Sequence, residues 1–165
     1  MSGISFRELD SRDRYKLLCG VVVPRPIALV TTLDENGKVN AAPFSFFNVF
    51  SEDPPLVVLG LQHKADHSPK DTTRNIHRSG QFVVHMVDEA LAAAMNECAV
   101  DCPSGNSEVE ATGLKTFPSI DVTVPRLAVA PFAPGVPPAC RAGLRTRPRA
   151  PGRRGAPASR PRRFD

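Results

Sequence analysis

Two stretches of this 165-residue chain carry side chains suited to one type of ligand. The first, NAAPFSFFNVFSEDPP at residues 40–55, gathers Phe44, Phe46, Phe47 and Phe50 between Pro43 and the pair Pro54-Pro55, with Ser45 and Asn48 set among the rings. Proline at each end limits backbone pairing, so the rings can form a wall for a flat aromatic group. The second, SPKDTTRNIHRSG at residues 68–80, has marked helix ends: Ser68 as N-cap, Pro69 at the first helical position, Asp71 closing an S-x-x-D box and Gly80 after the last turn. The unsatisfied N–H groups and dipole of such a helix start, together with Lys70 and the hydroxyls of Thr72 and Thr73, make an anion site. Asp71 opposes an anion unless the capping box engages its carboxylate. A flat heterocycle with a phosphate tail would use both stretches. Each also has a plain reading, because phenylalanines in a strand usually belong to the core and a capped helix usually binds nothing.

Other chemistries leave no trace. There is no G-x-S-x-G elbow, no H-E-x-x-H and no P-loop, and no G-x-G-x-x-G fingerprint for a stably bound dinucleotide. Cys98 and Cys102 have the spacing of two metal ligands, but no second pair and no suitably placed histidine completes a zinc set, so no metal is expected. Disulfides among Cys19, Cys98, Cys102 and Cys140 are not expected either. The N-terminus is polar, the apolar run GVVVPRPIALV is cut by Pro24-Arg25-Pro26, and no transmembrane span is present. The expected compartment is the cytoplasm.

The elements that must position these residues follow from local pattern. Asp10 or Ser11 caps a short helix over RDRYKLLC with Gly20 as its left-handed stop. PIALVTTLDENGKVNAAP reads as two strands around an Asn36-Gly37 type I′ turn. PPLVVLGLQ is a strand with poor alternation, covered on both faces. After the helix that follows Ser68, QFVVHMV is a strand and DEALAAAMNE a helix capped by Asp88, with Leu91 and Met95 on one face. Residues 98–107 are loop, EVEATGL a helical turn and SIDVTV a final strand. This order fits a mainly β fold, a small barrel with packed helices, better than a doubly wound sheet, which needs a crossover helix between the early strands.

The run VVPRPIALVTTLDENGKVNAAPFSFFNVFSEDPPLVVLGL, followed by KDTTRNI, GQFVVHMVDEALAAAMN and EVEATGL, resembles the flavin reductase-like family, from about Tyr15 to Pro131. The resemblance implies an FMN-binding split β-barrel, usually a homodimer. It further implies that Thr31 and Thr32 at a strand end, with Ser45, Phe46, Phe47 and Asn48, line the isoalloxazine and ribityl chain. Lys70, Asp71, Thr72, Thr73 and Asn75 would hold the phosphate end, with Arg25 nearby. On this reading the flavin N5 accepts hydride from NAD(P)H, with the donor carbon ~3 to 3.5 Å away, and no side-chain base is required. Electrons would pass on to free flavin, a partner oxygenase or another acceptor. An alternative in the binding class is an FMN-holding electron carrier that does not use NAD(P)H.

The resemblance stops near residue 131, giving an expected division into a flavin reductase-like domain, 1–130, and a disordered tail, 131–165. The net charge of +4 arises wholly in this tail: residues 1–130 hold 12 Lys and Arg against 16 Asp and Glu, whereas residues 131–165 hold nine Arg and one Asp. An arginine-rich arm can bind nucleic acid through phosphates, with affinity that falls steeply with salt. Such arms normally mix in lysine, so nucleic acid is not the expected partner. A reading-frame slip in a GC-rich gene accounts for the tail instead. Back-translated with suitable codons and shifted by one base, residues 134–156 read LECRLHAGQGSERVLVLLGDVV, whose strand-like RVLVLLGDVV resembles the family's next segment. The last barrel strands would then be missing.

Overall fold

The computed structural model describes residues 4–64, 66–100 and 106–136. Its centre is an antiparallel sheet in which β1 (Ala28–Leu33) lies between β2 (Val39–Phe44) and β5 (Phe82–Met86), with β8 (Gly135–Val136) beyond β5. Side chains of a strand alternate between faces, and β1 serves two cores accordingly. Ala28 and Val30 join Phe47, Leu59, Phe82, Val84 and Val136 in one cluster, while Leu29 joins Ala41, Leu91, Met95 and Leu127 in the other. A second sheet pairs β3 (Phe47–Glu52) with β4 (Pro55–Leu59), and a third pairs β6 (Thr116–Phe117) with β7 (Arg126–Leu127). Helices α1 (Ser11–Val21), α2 (Asp71–Ser79), α3 (Glu89–Glu97) and α4 (Glu108–Ala111) pack around these strands.

The helix α3 forms as its sequence predicts, with Asp88 Oδ1 accepting from Leu91 N–H at 2.9 Å and Leu91 and Met95 buried. Elsewhere the local chemistry departs from expectation. The β1–β2 turn is wider than type I′: Asp34 Oδ1 accepts from Asn36 and Lys38 N–H, and Gly37, at φ 80°, takes the left-handed conformation without Asn36. Helix α1 runs through Gly20 to Val21. The strand expected at SIDVTV is irregular chain whose Val122 and Val124 are buried, and the pairing falls to β7 just beyond. Strand β4 is partly exposed rather than covered on both faces.

Helix α2 starts at Asp71, not at Pro69. Ser68 is taken by Asp66, whose Oδ1 accepts from both its N–H and its hydroxyl, so it is unavailable as a cap. Lys70 becomes the N-cap and contributes no side-chain cap bond, and Asp71 pairs with Arg74 instead of closing a box. Gly80 ends the helix at φ 70° as expected.

The folded unit continues past the boundary expected at residue 130. Met86 N–H donates to Phe132 O, Val84 N–H to Pro134 O, and Val136 pairs with Phe82. Bare strand edges seek partners, and residues 131–136 supply one for β5. The rest of the expected tail, on which the frame-slip and nucleic-acid readings turn, lies outside the described residues, as does Cys102. No helix among the described residues is long and apolar enough to cross a membrane.

Candidate functional site

Where β2 ends, Ser45 and Phe46 carry the chain from the central sheet to β3. Gly60, just after β4, closes on this corner: its N–H donates to Phe46 O at 2.8 Å, and a Cβ added to Gly60 would lie 2.7 Å from Phe46 Cβ. Glycine is required for that approach, and the approach fixes where Phe46 stands. The Tyr15 ring of α1 meets Phe46 edge to face, with centroids 5.6 Å apart and planes at 78°.

The start of α2 stands beside the other end of β2. Asn40 is buried and its Nδ2 donates to Thr72 Oγ1 at 2.9 Å. The Thr72 hydroxyl therefore accepts from Asn40 and retains its own proton to donate. Since Lys70 gives no side-chain cap bond, the first-turn amides of α2 are not consumed by their own cap. Glu108, at the start of α4, reaches the same area, and its Oε2 accepts from Ala41 N–H at 3.0 Å. Burial pushes the Glu108 carboxyl up, with Asp71 adding to the effect against the bond from Ala41.

A single cleft of about 700 Å³ is lined by residues from both groups, among them Tyr15, Ser45 and Phe46 as well as Lys70, Thr72 and Glu108. Asn40, Ala42 and Phe44 line it too, at alternate positions of β2. Four residue steps of strand separate Asn40 from Phe44, a run of about 13 Å.

Of the residues singled out in the sequence, Ser45, Phe46, Lys70, Asp71, Thr72 and Thr73 line this cleft. The hydroxyl of Thr73, however, donates to Gln62 O at 3.0 Å, which leaves only its backbone to donate to a ligand. Thr31 and Thr32 do not line it. Both are fully buried on the central strand, where Thr31 Oγ1 donates to Pro125 O and Thr32 Oγ1 accepts from Asn75 Nδ2. Their backbones pair with β2, and that of Thr31 with β5 as well. Asn75 is buried in that bond and borders a separate cavity of about 470 Å³. Arg25, Phe47 and Asn48 border a further groove of about 240 Å³, to which Ser45, Phe46 and Gly60 also belong. Phe47 is a core residue, Asn48 Oδ1 accepts from Val49 N–H, and Arg25 Nη1 donates to Cys19 O and Val22 O at the end of α1.

Sequence reasoning missed Asn40, Tyr15, Glu108 and the Gln62–Lys64 stretch. The alternation of β2, counted back from Phe44, was the signal for Asn40. Nothing local marked Tyr15 or Glu108, since both arrive from elements distant in sequence.

A family model for the flavin reductase like domain matches residues 21–134. The chain belongs to this family. Its relatives include the uncharacterized proteins BH2278 of Halalkalibacterium halodurans, 50% identical over 120 residues, and YwrF of Bacillus subtilis, 48% identical over 118. These matches cover 73% and 72% of this chain, and in both cases 57% of the relative's length. Among solved structures, nitrilotriacetate monooxygenase component B from Bacillus cereus superposes with a TM-score of 0.74 at 42% identity, over 79% of this chain and 64% of that one. The 2-nitrobenzoate 2-nitroreductase NbaA of Pseudomonas fluorescens gives 0.70 at 45% identity, over 80% and 62%. A flavin reductase-like protein from Shewanella frigidimarina with a split barrel domain gives 0.67 at 21% identity, over 82% and 68%. The fold is accordingly a split barrel of the flavin reductase kind.

Proposed function

We propose that the cleft binds FMN, with the ring system against Phe46 and the phosphate at the start of α2, and that the protein is an NAD(P)H-dependent oxidoreductase of the flavin reductase type. The supporting observation is that one cavity joins a glycine-pinned aromatic corner to a helix start whose cap residue leaves the first-turn amides unbonded by its side chain. The donor set suits a phosphate: the Thr72 hydroxyl proton, first-turn N–H groups and the charges of Lys64 and Lys70. Asp71 opposes less than its position suggests, because Arg74 pairs with it.

Bound FMN would supply the hydride-accepting atom. The chain's own residues hold and orient it. Phe46 and Tyr15 keep water from the ring, Asn40 fixes the Thr72 hydroxyl so that its proton faces away from the amide, and Lys70 offsets the ligand's charge. The raised Glu108 carboxyl can hold a proton when an anion enters, which removes a repulsion. Names of two solved structures above 40% identity, a monooxygenase component and a nitroreductase, support onward transfer to a partner oxygenase or a small acceptor. We place the protein in the cytoplasm as a homodimer. The exposed apolar side chains of Val22 and Phe50 beside the 240 Å³ groove favour a second copy there.

Calorimetry tests the ligand. Replacing Lys70 and Thr72 together by Ala removes one charged and one neutral hydrogen bond, an expected loss of about 10²-fold in FMN affinity, whereas riboflavin, which lacks the phosphate, should bind both proteins alike. Unchanged FMN affinity would remove the phosphate assignment. Stopped-flow reduction by NADH or NADPH then separates the reductase from an electron carrier.

A further inference from the structure

We propose that Tyr15 forms the end wall of the cleft's ring pocket and contacts the flat heteroaromatic ring seated there. This assignment rests on the flavin reading above. Helix α1 buries none of its residues, and its apolar side chains Leu18 and Val21 are exposed, so its sequence is not dictated by the core. Tyr15 nevertheless projects from it into the cleft and meets Phe46 nearly at a right angle. Two perpendicular rings make a corner: a planar ligand that slides along the Phe46 face stops against Tyr15.

Local bonds finish both ends of this helix. Arg25 Nη1 donates to Cys19 O and Val22 O, both at 2.7 Å, and Asp10 Oδ1 accepts from Asp13 N–H at the opposite end. The neighbouring Cys19 side chain and burial raise the Tyr15 pKa against the pull of Arg25. The phenol thus stays protonated. Stacked or edge-to-face aromatic contacts contribute about 0.5–1.5 kcal/mol beyond area burial, which corresponds to roughly 2- to 13-fold in affinity.

The experiment uses the full chain, FMN and riboflavin as ligands, and the variants Tyr15→Phe and Tyr15→Ala. Tyr15→Ala should weaken both ligands by the same factor, about 2- to 13-fold, because the contact is with the ring and not the phosphate. Tyr15→Phe should keep the affinity to within about twofold while lengthening the fluorescence lifetime of bound FMN, since an electron-rich phenol quenches flavin emission by electron transfer at contact and a phenyl ring does so far less. Equal affinities of wild type and Tyr15→Ala would overturn the proposal, and so would equal lifetimes of wild type and Tyr15→Phe. Both outcomes leave FMN binding itself standing. A wild-type protein that binds neither ligand would overturn the flavin reading together with this one.

Discussion

The central sheet and the cleft beside it are made with the same polar residue types, turned to different ends. In the sheet, Thr31, Thr32 and His85 are wholly buried, and each bonds a partner elsewhere in the fold: Pro125 O, Asn75 Nδ2, and the pair Leu29 O and Leu127 N–H. At the cleft, Thr72 and Glu108 also bond inward, yet each retains capacity toward the cavity. Thr72 and Thr73 show the contrast between neighbours: one hydroxyl keeps its proton, the other gives it to Gln62 O. Residue type therefore does not separate scaffold from site. What separates them is whether the last donor or acceptor has already been used by the fold.

His85 offers the strongest way to break this comparison. Leu127 N–H can only donate and Leu29 O can only accept, so Nε2 is the acceptor and Nδ1 carries the proton. Replacing His85 with Leu strands both buried backbone groups at about 1–3 kcal/mol each. Denaturant unfolding should show a loss of about 2–6 kcal/mol, and a loss below 1 kcal/mol would mean that the ring does not join β7 to the central sheet.

The same residue predicts an acid transition. Burial, with Arg126 contributing and the Leu29 bond opposing, lowers the His85 pKa from 6.5 to about 4. The unfolded chain then binds the extra proton more readily than the native one, so stability falls as pH drops from about 6.5 to about 4. At 1.36 kcal/mol per pKa unit the loss approaches about 3 kcal/mol. His85→Leu should lack this segment of the pH–stability curve.

On the cleft side, Gly60→Ala would push against Phe46 Cβ. Overpacking of this kind costs about 1–3 kcal/mol, and because it moves the cleft's own wall it should also weaken FMN, by about tenfold or more, as titration would show. A smaller effect is expected for Glu108→Gln. The amide oxygen still accepts from Ala41 N–H, but the buried charge is gone, so stability at pH 8 should hold or rise by under about 1 kcal/mol and FMN affinity should rise.

Much of this arrangement was legible in the chain itself. The crowded phenylalanines and the KDTTRN helix start were visible because ring clusters and helix ends are local features, and the structure brings both to one cleft. Depth was not visible. Thr31, Thr32 and Asn75 carry polar groups that suit a ligand, and only the tertiary structure shows them used, Thr32 and Asn75 by each other and Thr31 by Pro125 O. The capping box failed for a related reason: Ser68 had two carboxylates within reach, Asp66 and Asp71, and the nearer took it. The corner at Ser45-Phe46 also went unread, and with it β3, since one run of rings does not reveal where a strand changes sheets.

The measurement closest to the central claim is a crystal structure of the full chain with FMN. The account predicts the ring system against Phe46 and Tyr15, with phosphate oxygens within hydrogen-bond distance of the Thr72 hydroxyl and the first amides of α2. A phosphate lodged away from α2, or a ring away from Phe46, would contradict it.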